Sequence, residues 1–285
     1  VVFKVLIYAG MGIFIFSVLY PLYYLLMYSL STYGGLAGEH NPLMLVPAGV
    51  TLLGYEKLLS QDYIRSGFMV TIFRSLVGPV ATVFCTAITA YPLAKKDLPG
   101  RKVFTWFLMI NMFFTGGLIP TYLVIRDIGL IDNLWVLIVP GMFSTYYILL
   151  LRTFYTDLPD ALEEAAEIDG ASVMQIFFRI VLPITIPSLM TIGCWSFFGH
   201  WNSWFPASIY LQDNNKLPIQ NVLRAVLIAN SNLLNSAAAE NDQVNEFAEA
   251  IKYSAIVLTT VPVLCIYPFL QRYFVKGVMI GAVKG

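Results

Sequence analysis

From Val103 to Ile125, and again from Ile180 to Gln212, the chain carries no Asp, Glu, Lys or Arg. About 20 residues of helix cross the ~30 Å hydrocarbon core of a bilayer, and core helices of soluble proteins rarely run that far without charge. Composition agrees, with 58% hydrophobic and 12% charged residues, against roughly 25% charged in soluble domains. Reading every such window predicts six spans, at about residues 5–30, 67–94, 103–124, 134–152, 184–210 and 253–271. The first is too long for a signal peptide and lacks an Ala-x-Ala-like exit, so it reads as a retained helix. Ten-residue alternation of a membrane barrel is absent, and helices satisfy their own backbone polar groups in lipid. The expectation is an all-α membrane protein of six transmembrane helices, residues 1–285 forming one domain without internal repeats.

Cationic loops stay on the cytoplasmic side. With the first end inside, the inner segments hold Lys4, Lys95, Lys96, Arg101, Lys102, Arg152, Arg179, Arg272, Lys276 and Lys284, 10 of the 17 basic residues. "KKDLPGRK" after the second span decides the matter, so both termini are expected to be cytoplasmic. The outer loops are then 31–66, 125–133 and 211–252, the last running as an amphipathic helix, "NEFAEAIKYSAIVLTTVP", into span six. Cys85, Cys194 and Cys265 fall singly in different spans, a pattern of packing residues rather than of a metal site or disulfide framework.

The inner loop 157–183 is the exception to the apolar rule, because "EEAAEIDGASVMQIFFRIVLP" sets Glu163, Glu164, Glu167 and Asp169 between two greasy runs. Asp157 or Asp160 can cap a first helix that opens at Pro159 and ends at Gly170. Ser172 and Gln175 then form an S-x-x-Q capping box for a second helix, which Pro183 is expected to stop. Ala161, Ala165, Ala166 and Ile168 give the first helix a low-relief face suited to close contact with another protein. The plainer reading is a solvated connector whose acids favour the helix N-terminus.

Glu164, Ala165, Ala166, Gly170, Ile180, Leu182 and Pro183 fit the E-A-A, x3, G, x9, I-x-L-P signature of the membrane subunits of ATP-binding-cassette (ABC) importers, which this loop resembles. "WNSWFPASIYL" and the ending "QRYFVKGVMIGAVKG" are similar to segments of the sugar-importer branch of maltose-type permeases. "FTGGLIPTYLVIRDIGLIDNLW" resembles permeases paired with lipoprotein binding proteins and with the alginate importer. The resemblance implies a type I ABC importer permease fold in the bacterial inner membrane, with residues 67–271 as core and 272–285 as a tail toward the ATPase dimer. It implies a second homologous permease, two cytoplasmic ATPase subunits, an external solute-binding protein and a saccharide substrate, with no nucleic acid. Glu164, Ala165, Ala166 and Gly170 would form a coupling helix docked on an ATPase subunit, Glu164 pairing with a basic residue there. The chain would need no cofactor of its own, since ATP is bound by the partners.

The residues support an external energy source independently, because no G-x-x-x-x-G-K-[ST] phosphate cradle occurs. Arg74 and His200 are the obvious ionisable groups inside spans, whereas ion-coupled carriers bury several carboxylates or histidines. An ion-coupled secondary carrier for a small polar solute is the rival class. No H-E-x-x-H or G-x-S-x-G points to an enzyme.

Span five carries "GCWSFFGHWNSWF", in which Trp195, Phe198, Trp201 and Trp204 could stack on sugar rings while Asn202 and His200 bond hydroxyls. Packing and interfacial roles are the commoner use of membrane aromatics. Asn202 is the best single candidate, since an unpaired amide in lipid is costly. His200 reads first as a neutral histidine bonded to a neighbouring helix. Asn111 and Thr115, one helical turn apart in span three, could line the same cavity or join helices. Arg74 reads first as snorkelling to the outer surface.

Overall fold

The computed structural model describes residues 2–32, 44–47, 49–234 and 242–282. Among these the chain is helical with no strands. Three helices are long and apolar enough to cross a membrane: α1 (Val2–Ser29), α3 (Asp62–Ala94, after the short α2, Leu53–Leu59) and the 248–268 part of the C-terminal helix. Three bent pairs complete the count of six. They are α4 (Arg101–Phe113) with α5 (Leu118–Asp127) at 115°, the turns 134–141 with α6 (Thr145–Thr156) at 46°, and α8 (Val173–Ile184) with α9 (Ile186–Asn202) at 74°. Between α6 and α8 lies α7 (Asp160–Ile168); after α9 come α10 (Phe205–Tyr210), α11 (Ile219–Leu234) and α12 (Asp242–Ala282). The segment before span six therefore does continue into it as a single helix.

Two compact units result. One comprises residues 1–67 and 219–265. In it the Tyr28 hydroxyl donates to the Glu249 carboxylate, the Tyr28 and Tyr253 rings lie 4.3 Å apart, and the Ser29 and Tyr55 hydroxyls meet at 2.5 Å. The first half of α1 is exposed, as an apolar helix facing lipid or another chain would be.

The other comprises residues 68–218 and 266–285 and contains both the coupling-signature loop and the aromatic segment. Its α3 joins two apolar clusters. Ala87, Ala90, Tyr91, Leu93 and Ala94 pack with Ile148, Leu151 and Tyr155 of α6, Ala166 of α7, and Ile176, Phe177 and Val181 of α8. Toward the other end, Val70 packs with Ile125, Val136, Leu137, Ala207, Tyr210 and Leu211. At 1.5 Å per residue the clusters are roughly 25 Å apart along α3. Between them Gly78 faces His200, whose ring would collide with any Cβ at that position. Glycine is what allows α3 and α9 to touch there.

Span three departs from one straight helix. Phe114 is extended and Gly117 sits at φ 85°, so α4 stops at Phe113 and α5 starts afresh. Apolar composition alone carries no sign of such a break. Asn111 and Thr115 are thus not one helical turn apart: Asn111 is on α4, Thr115 is in the break, and both are exposed.

Candidate functional site

The signature loop folds as helix, glycine turn, helix. α7 ends in a Schellman motif, in which the Gly170 N–H donates to the Glu167 carbonyl at 3.0 Å and the Ala171 N–H to Ala166 at 2.9 Å. Gly170 holds φ +77°, a region that L-residues avoid. The capping box is present: the Ser172 N–H donates to Gln175 Oε1 at 2.8 Å, and the Gln175 N–H to Ser172 Oγ at 3.4 Å.

Two local expectations fail. Pro159 occupies the N-cap of α7, and Asp160, the first residue of the helix rather than its cap, reaches Lys96 at 3.0 Å. Proline offers no side-chain acceptor at the cap position, and Asp160 in the first turn places its charge at the positive end of the helix. Nor does Pro183 stop the second helix. A π turn over Phe177–Val181 precedes it, and the bend falls at Thr185, whose hydroxyl donates to the Val181 carbonyl at 2.8 Å. The wider π turn absorbs the ring that would clash in a regular helix.

The signature residues divide by burial. Ala166 is 8% exposed and plugs into the cluster at the end of α3, while Ile180 and Leu182 pack against that cluster. Glu164 and Ala165 are exposed, and so are Leu162, Ile168, Val173 and Met174, with Ile168 86% exposed. The elbow therefore presents a small apolar surface beside an outward carboxylate. Glu163 turns the other way, to the Lys95 ammonium and the Tyr91 hydroxyl, which donates to it at 3.2 Å. Burial pushes the Lys95 ammonium below the ordinary lysine range, against the upward pull of the Glu167, Asp97 and Asp160 carboxylates. This clasp was missed in the sequence, where Lys95 counted only as an orientation signal.

In the aromatic segment, Trp201 is 3% exposed and stacks on Phe197 at 6.0 Å; Phe198 lies edge-on to Phe197, and Trp195 packs beside Tyr146 and Tyr147 of α6. These are packing contacts. Asn202 is exposed as the last residue of α9, and Trp204 stands in the break before α10. The His200 ring packs against α3 at Gly78, and its backbone carbonyl accepts from Arg74 of the same helix.

Arg74 corrects the snorkelling expectation. It is 1% exposed and donates to the backbone carbonyls of His200 and Ser203. Those carbonyls are orphaned by the break after Asn202, so a guanidinium satisfies the negative end of α9. Asp132 is the second residue missed. It has φ 56°, accepts from the Gln212 and Asp213 N–H groups at 3.1 and 3.2 Å, and pairs with Lys216 at 2.8 Å. The Lys216 bond and the two backbone donors hold its carboxyl down at about 2. The small clasp fixes the loop after α5 to the loop after α10.

The elbow, with its glycine cap and inserted alanine, joins α6 to the bent pair α8–α9. Residues 1–280 match the model of the binding-protein-dependent transport system inner membrane component family. The chain belongs to this family. Like its other members, it is an ABC importer permease, a transport subunit rather than an enzyme. It is 34% identical to the polygalacturonan/rhamnogalacturonan transport system permease protein YtcP of Bacillus subtilis, over 99% of this chain and 98% of that one. It is 37% identical to protein LplC of the same organism, over 93% and 89%. A solved bacterial ABC transporter for import of the acidic polysaccharide alginate contains a chain of TM-score 0.85 and 28% identity, with 96% of each covered. The permease fold and the expected branch are both supported, and membership places the chain in the inner membrane with ATPase, binding-protein and second-permease partners.

Proposed function

We propose that this permease imports an oligo- or polysaccharide, received from an external solute-binding protein, and that the elbow 157–183 is its coupling device on the cytoplasmic side, with both termini also inside. The observation that carries the reading is the elbow's geometry: an outward Glu164 beside exposed Ala165 and Ile168, on a helix fixed by a φ +77° glycine and an inserted Ala166. A capped, rooted helix moves as a rigid body with whatever grips it. An ATPase dimer closing on nucleotide supplies the differential contact that a conformational shift requires. The relatives' polygalacturonan and alginate favour a saccharide bearing carboxylates. Asn202 and Trp204 at the break after α9, with Asn111 and Thr115, are the proposed substrate path, while Trp195, Phe198, Trp201 and His200 are packed against this chain's own residues. The complex reconstituted in vesicles is expected to take up saccharide only with ATP and a binding protein, with oligouronides competing better than neutral oligosaccharides. Uptake driven by an ion gradient alone would make it a secondary carrier.

A further inference from the structure

The elbow has two routes to the aromatic segment. The covalent one runs through α8, a π turn and the 74° bend at Thr185. The other runs through α3, which is continuous from Asp62 to Ala94 and carries Tyr91 at one end and Arg74 and Gly78 further along. The covalent route turns through 74°, whereas α3, although it carries Pro79 and Pro92, continues as one helix.

We propose that Lys95, held by Glu163, is a positioning residue that ties the coupling elbow to α3, so that motion of the elbow reaches the break in α9 through α3 and Arg74. The inference rests on the elbow being the ATPase-coupling device. Asp160 and Glu163 lie three apart on one face of α7 and grip the consecutive residues Lys96 and Lys95. The two pairs are not equal. Lys96 and Asp160 are 75% and 71% exposed, and such pairs contribute little. Lys95 and Glu163 are 33% and 17% exposed, the ammonium lies 4.8 Å from the Tyr91 ring centre, and the Tyr91 hydroxyl shares the carboxylate. Cation–π contact and a charge-assisted bond make this the firm grip. A cavity of about 200 Å³, lined by Tyr91, Tyr155 and both ion pairs, adjoins the clasp. Glu163 and Glu164, adjacent in sequence, then have separate tasks, one facing the chain's own α3 and the other facing outward.

The test uses the full transporter in vesicles, measuring saccharide uptake, ATP hydrolysis and retention of ATPase subunits on the purified complex. Lys95→Met and Glu163→Gln are expected to keep the ATPase subunits and lower uptake per ATP by about tenfold, the effect of losing one charge-assisted bond. The exchanged pair Lys95→Glu with Glu163→Lys is expected to restore the ratio to within about twofold, which a merely structural role would not do. Should a single variant fail to assemble, restoration by the exchanged pair still supports the clasp and its absence overturns it. An unchanged ratio in the single variants, with ATPase subunits retained, overturns the inference alone. Loss of uptake control by ATP in the parent complex would overturn the coupling reading beneath it.

Discussion

At Gly170 the constraint is conformational, since a Cβ there would meet nothing within 4 Å while φ stands at +77°. An L-residue in that region costs roughly 1–2 kcal/mol, so Gly170→Ala is expected to lower stability by about 1 kcal/mol, read by thermal unfolding of the purified complex. Arg74 is legible only as a charge in a greasy window, because its acceptors are carbonyls that exist only once α9 breaks. Arg74→Ala removes the donor to two part-buried carbonyls and is expected to destabilise by about 1–3 kcal/mol, with Arg74→Lys recovering part, measured the same way. Asp132 sets a pH dependence. Its folded carboxyl sits near 2, below the ordinary value of about 4, so its stabilisation is complete above pH ~4 and is lost as pH falls toward 2. Asp132→Asn, which tolerates the left-handed backbone, is expected to flatten that acid limb of the melting profile.

Elements were legible where their signals are local. The capping box and the glycine turn of the elbow involve neighbours within five residues, and both are present. Ser172→Ala is expected to cost about 1 kcal/mol of elbow stability, seen as faster hydrogen exchange over 171–176. The break at Phe114–Gly117, the π turn and the grip of Lys95 on Glu163 were not legible. Hydropathy averages over a window and cannot see an extended residue, and the lysine pairs with a carboxylate 68 positions away. Ala166 was read as part of a partner-facing face, whereas it fills the chain's own core. Ala166→Leu is therefore expected to overpack that core by about 1–3 kcal/mol and to unseat α7, while Ala165→Leu leaves stability unchanged.

For the whole molecule, six apolar windows correspond to three unbroken helices and three bent pairs, because span length is dictated by the bilayer whatever bends occur within it. On the proposed reading the elbow is a lever, a rigid, rooted projection through which nucleotide-driven closure of another protein would be delivered to the spans. Ile168, 86% exposed on that projection, offers the most direct measurement. With Ile168→Cys in the reconstituted transporter, cross-linking is expected to join this position to an ATPase subunit both without nucleotide and with trapped ATP. Absence of the adduct in every nucleotide state, in a complex that still transports, would contradict the lever.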